Sequence, residues 1–135
     1  MKKVYKYVLS EDFTYCSELL NGIIFVGKWG KIENGTLTIY KNYAWDGCSP
    51  KCKIFGKYII GTPDGWFKGF RYIKNWTRKA SLVHDFLYQF SDYIFGLTRQ
   101  IADYIFFMML VELKFSLKYT YYTAVRIFGK KYWKA

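Results

Sequence analysis

The chain holds one histidine, His84, beside Asp85 in the apolar run SLVHDFLYQF, Ser81–Phe90. Spacing decides what can reach it. On a helix, Tyr88 lies four residues on and shares the His84 face, whereas Asp85 points about 100° away. A later run, Thr98–Leu110, carries Arg99 and Asp103, again four apart and on one face. Packed antiparallel across a short connection, two such helices would bring Asp103 to His84 and leave Asp85 aimed elsewhere. A histidine that acts as a base needs such a carboxylate to fix its tautomer and steady the imidazolium. A neighbouring carboxylate aimed away is free to hold a cation. Asp46-Gly47 adds oxygen donors for that cation, with a glycine N–H able to approach a developing oxyanion closely. The same residues also suit a buried polar pair that joins two helices with no reaction, and the spacing leaves both readings open.

These groups need a scaffold, and the hydrophobic pattern predicts one. KVYKYVL, GIIFVGKW and TLTIYKNYAW alternate and are rich in β-branched and aromatic residues, so they read as strands, with Glu33–Gly35 as a hairpin turn. Leu37 and Ile39 should face one side, and Thr36, Thr38 and Tyr40 the other. Residues 46–76 read as a loop region, because Asp46–Phe70 carries both prolines and five of the eleven glycines. A short hairpin is expected there around KYIIGTPDGW. From about Thr77 the period becomes helical. The first helix should end near Ser91, the second run from an N-cap at Thr98 to about Lys118, and the third, YYTAVRIFG, end at Gly129. Strands first and helices afterwards predict an α+β fold, a small antiparallel sheet followed by a long loop and two to three packed helices. One domain is expected over 1–135, β-rich over 1–45 and helical over 77–135.

At 135 residues the chain is long enough to close a core without disulfide staples. Hydrophobic residues make up 52% and aromatics 23%, which excludes a disordered chain and calls for an aromatic core or interface. The net charge of +11 is uneven: residues 1–46 hold 6 Lys/Arg against 5 Asp/Glu, and residues 47–135 hold 15 against 5. The later part therefore carries a field that favours anionic partners, unless its lysines serve only to keep an aromatic chain in solution. Three cysteines, Cys16, Cys48 and Cys52, form no disulfide framework and point to a reducing compartment. Cys48 and Cys52 lack the second pair of ligands that a zinc site needs. The N-terminal MKKVYKYVLSEDF has no uninterrupted apolar stretch, so no signal peptide is expected. The most apolar stretch, Tyr104–Val111, falls far short of the roughly 20 residues of a spanning helix and reads as a buried core helix.

Four blocks in order, WDGCSP (Trp45–Pro50), ASLVHDFLYQF (Ala80–Phe90), TRQIADYIFFMML (Thr98–Leu110) and AVRIFGKKYW (Ala124–Trp133), together resemble a small phage and prophage family of unknown function. The likeness spans roughly residues 40–133. The central blocks are also similar to prokaryotic phospholipase A₂, in which a DGCS loop precedes a helix with HDxxY and a second helix carries an Asp. That resemblance implies a phospholipase A₂-like antiparallel helix pair. It implies that His84 activates a water, that Asp103 orients it, and that Asp85 with the Asp46-Gly47 loop holds calcium. The Gly47 N–H and the metal would stabilise the ester oxyanion, and Tyr88 and Arg99 would support the Asp103 carboxylate. Secreted lipases carry a cysteine where this chain has Ser81, so no disulfide is expected there.

For the molecule as a whole, the expectation is a phage-encoded, non-catalytic virion or host-interaction factor. It would reside in the host cytoplasm or the virion and could lie at a membrane surface. The alternative is a calcium-dependent phospholipid esterase that acts as a phage enters or lyses its host. The C-terminal piece from Lys114, with six Lys/Arg and no acid among its aromatics, would suit an anionic phospholipid surface. A third reading, nonspecific nucleic-acid binding through charge and stacking aromatics, has no motif behind it.

Overall fold

Leu37 and Ile39 are fully buried while Thr36 and Thr38, on either side of Leu37, are not, so the predicted alternation holds and gives the sheet an inner face. The computed structural model describes residues 7–45, 52–54, 58–60, 66–67, 70–71 and 78–135. In chain order the strands are β1 (Tyr7–Val8), β2 (Phe13–Cys16), β3 (Phe25–Val26), β4 (Gly30–Glu33), β5 (Thr36–Ile39), β6 (Ala44–Trp45), β7 (Cys52–Ile54), β8 (Tyr58–Ile60), β9 (Trp66–Phe67) and β10 (Phe70–Arg71). Three helices follow: α1 (Arg78–Gln89), α2 (Arg99–Glu112) and α3 (Lys118–Phe128), the last running into a 3₁₀ turn, Gly129–Tyr132. The order is α+β. Among the described residues, no helix is long and apolar enough to cross a membrane.

The main sheet is antiparallel in the order β2-β5-β4-β3, and β1 pairs separately with β6. Asn34 and Gly35 both take positive φ, 51° and 72°, the combination that closes a tight hairpin between β4 and β5. Several strand expectations change. The apolar run 22–29 is not one strand: only Phe25–Val26 pairs, and the chain reverses so that Gly27 N–H donates to the Gly30 carbonyl. β5 pairs with β4 on one side and β2 on the other, and β2 is a strand with no alternation strong enough to announce it. The run 36–45 splits into β5 and β6 around Asn42, whose φ is 78°. In the region expected to be loop, β8 pairs back with β7 rather than forward, and β9 pairs with β10.

Aromatic packing joins sheet to helices. Phe86 of α1 meets Phe25 edge-on at 6.2 Å and Tyr43 at 5.4 Å between centroids. Tyr43 also donates to the Gln89 side chain at 2.7 Å. His84 meets Phe106 and Asp103, whereas Tyr88, one turn later, meets Asp103 and Arg99. A step forward on α1 is thus a step back on α2, and the two helices run antiparallel.

Thr98 caps α2 as expected, its hydroxyl accepting from the Ile101 N–H at 3.1 Å. The helix stops well before Lys118. Lys114 turns left-handed with φ 57°, its N–H donates to the Val111 carbonyl and that of Phe115 to the Leu110 carbonyl. This is a Schellman ending with Lys in the position where glycine is usual, and burial of Phe115 drives it. The apolar stretch of α2 is also less enclosed than expected: Ile105, Phe106, Met109 and Leu110 are buried, but Tyr104 and Val111 are exposed.

Candidate active site

Asp103 is the hub of the site. Its Oδ1 accepts from His84 Nε2 at 2.8 Å and from the Tyr88 hydroxyl at 2.5 Å. Its Oδ2 accepts from Arg126 Nη1 at 2.8 Å. Arg99 stands one turn before Asp103, with Nε 3.8 Å from Oδ2, and donates from Nε to the Tyr88 oxygen at 3.1 Å. Its Nη2 reaches the carbonyls of Val125 and Arg126 at 2.9 and 2.5 Å, where the last turn of α3 leaves carbonyls open to a cation. Three helices thus meet on one carboxylate, and His84 and Asp103 are both fully buried.

The electrostatics follow from that donor set. Burial alone would raise the Asp103 carboxyl, but the hydrogen bond and charge of His84, with the bonds from Tyr88 and Arg126, hold it below its ordinary value. Burial, then the bond and charge of Asp103, push the Tyr88 phenol far up, against a smaller opposing effect of Arg99. Asp103 is therefore a carboxylate and Tyr88 a neutral donor. A carboxylate only accepts, so whenever the His84 ring is neutral its one proton sits on Nε2. That leaves the Nδ1 lone pair as the acceptor, and among the described residues nothing donates to it. A buried acceptor left without a donor costs about 1–3 kcal/mol.

Packing holds the ring where it is. His84 lies 4.2 Å from the Tyr88 ring and 4.9 Å from that of Phe106. Trp133 stands edge-on to Tyr88 at 5.1 Å. Gly129 falls past the end of α3 as the sequence predicts, but for a different reason. Its φ is −73°, and a Cβ there would come within 2.7 Å of the Tyr88 oxygen. The glycine makes room for the tyrosine. Ser81 donates to the Arg78 carbonyl at 2.7 Å and accepts from Trp45 Nε1 at 3.1 Å. These bonds are a polar tie from β6 to α1.

Of the residues the sequence singled out, His84, Tyr88, Arg99 and Asp103 converge. Asp85 takes no part in the Asp103 bonds and is partly buried on α1. Asp46, Gly47 and Cys48 lie outside the described residues. Calcium takes six to eight oxygens, and among the described residues no group of three or more acidic, histidine or cysteine side chains could hold a metal. Of the expected calcium set, Asp85 is the member that lies among the described residues. Arg126 is the participant the sequence reading missed. Its signal was the AVR of the AVRIFG block, quoted for resemblance and not for chemistry. Comparison of the chain with protein-family models, with curated proteins and with solved structures found no match.

Proposed function

We propose that His84 is the general base of a hydrolase that activates water against a carboxylic ester. The observation that carries this reading is the unpartnered Nδ1 on a ring whose Nε2 is held by an ionised carboxylate. Nδ1 would take a proton from water as the oxygen attacks the ester carbonyl, and Asp103 would stabilise the resulting imidazolium. The Nδ1 proton would then pass to the leaving alkoxide, releasing acid and alcohol. Such base catalysis contributes about 10²–10⁴-fold. The phospholipase A₂ resemblance supports a phospholipid ester as substrate. It also supports calcium on Asp85 and Asp46, with Gly47 at the oxyanion.

The test is fatty-acid release from phosphatidylglycerol vesicles, with calcium and with chelator, by the wild type and by His84→Gln. Release that falls at least 100-fold in His84→Gln is expected. Equal rates, or none from either protein, would sink the reading.

Full burial of His84 and Asp103 favours a second reading, in which the cluster is a polar joint among three helices and the chain is a non-catalytic phage virion or host-interaction factor. In that case His84→Gln lowers the melting temperature and no ester is cleaved under any condition.

A further inference from the structure

Three helix ends meet at one end of the helical layer: the C-terminus of α1, the N-terminus of α2 and the C-terminus of α3. Arg99 at the start of α2 binds the last carbonyls of α3, and the Lys134 backbone N–H donates to Ser91 Oγ at 3.0 Å. The basic C-terminal turn therefore lies against the connection between α1 and α2.

That end carries several exposed apolar side chains. Phe95 is 93% exposed, Tyr93 72% and Ile127 63%. A groove of about 390 Å³ runs from Phe90 and Tyr93 to Ile24, Val26 and Lys28 on the sheet edge. A second groove, of about 430 Å³, lies among Ile127, Phe128, Lys130 and Lys131. The charge is one-sided. Residues 127–135 hold three lysines and no acid, and residues 89–98 hold a single acid, Asp92.

We propose that this end of the molecule docks onto an anionic phospholipid surface. Exposed aromatic and aliphatic tips flanked by lysines match a bilayer boundary, with acyl chains for the tips and headgroups for the ammonium groups. A nucleic acid would use the lysines and stack on the rings, but it offers nothing to Ile24, Val26 and Ile127. Arg126, which holds Asp103, immediately precedes the docking segment, so the face is built on the same helix ends as the His84 site. The proposal names the partner of the hydrolase reading and rests on that reading for its purpose, while docking itself is measurable without any reaction.

The experiment is co-sedimentation with vesicles of phosphatidylcholine alone and of phosphatidylcholine mixed with phosphatidylglycerol. It uses the wild type, His84→Gln, the pair Tyr93→Ser/Phe95→Ser, and the pair Lys130→Gln/Lys131→Gln. These last four side chains lie at the surface, and melting curves confirm that the variants fold. Wild type and His84→Gln should bind the mixed vesicles alike and leave phosphatidylcholine unbound. The lysine pair should weaken binding by about 30-fold, and the aromatic pair by at least about tenfold. Loss of ester cleavage with docking intact would strike the hydrolase reading alone. Unchanged binding by both paired variants, no binding to mixed vesicles, or binding to single-stranded DNA in their place would overturn the proposal.

Discussion

Arg126 Nη1 lies 2.8 Å from Asp103 Oδ2, the carboxylate oxygen that His84 leaves free. A guanidinium from α3 thus holds the anion that sets the tautomer of a histidine on α1. Removing it as Arg126→Gln should destabilise the fold by about 1–2 kcal/mol, a charged hydrogen bond discounted because the guanidinium is partly exposed. Denaturant melts give that figure. Nitrogen-15 shifts of His84 give the specific part: the wild type should show a bare Nδ1 and a protonated Nε2, and the variant a mixture. An unchanged tautomer would mean Asp103 needs no help from α3.

Asp103 itself predicts a pH dependence. Its folded carboxyl is held below its ordinary 3.8, so the stabilisation it gives is fully present above that value and is lost as pH falls through the depressed folded one. Asp103→Asn should flatten this acid limb in melts at stepped pH and lower stability at neutral pH by about 1–3 kcal/mol, since the buried donors His84 and Tyr88 lose their carboxylate acceptor. On the hydrolase reading it should also cost about 10⁴ in kcat by inverting the tautomer. A wild-type stability that does not change on acidification past this range would contradict the pKa direction.

Gly129→Ala isolates the packing role of the glycine. The added Cβ would sit 2.7 Å from the Tyr88 oxygen and 3.3 Å from its ring, so crowding should cost about 1–3 kcal/mol. Tyr88→Phe in the same chain removes the oxygen and should recover part of that loss, a coupling read from a double-mutant cycle. Additive losses would place the strain elsewhere.

Lys114→Gly should go the other way. Lys114 holds φ 57° at the end of α2, and glycine adopts that conformation without the clash of a Cβ, a gain of about 1 kcal/mol. A melt that moves down would mean the lysine side chain contributes more than its backbone costs.

Tyr15 ties the sheet to α2 through a 3.4 Å bond to Glu112. Burial, then the Glu112 charge and bond, push its phenol up to about 12. The tie is therefore fully present below the ordinary 10.0 and is lost as pH rises through about 12. Alkaline titration by phenolate absorbance should show a tyrosine that ionises near 12 in the wild type and is missing in Tyr15→Phe, with Tyr88 ionising later still in both.

What the sequence by itself determined was local. His84 with Tyr88 and Arg99 with Asp103 sit four apart, and helical periodicity alone puts each pair on a common face. Thr98 announced the start of α2, and the alternation of Leu37 and Ile39 the inner face of β5, because caps and pleats depend on neighbours in the chain. The tertiary structure decided the rest. The end of α2 at Lys114 follows from burying Phe115 and not from a glycine. The run 22–29 looks continuous in apolar character yet reverses after Val26, so hydrophobicity could not place β4. Arg126, 23 residues from Asp103, became part of the site only because α3 folds back along α2. Which cation meets a buried carboxylate is set by packing across elements, and the spacing of residues along one helix carries no record of its neighbours.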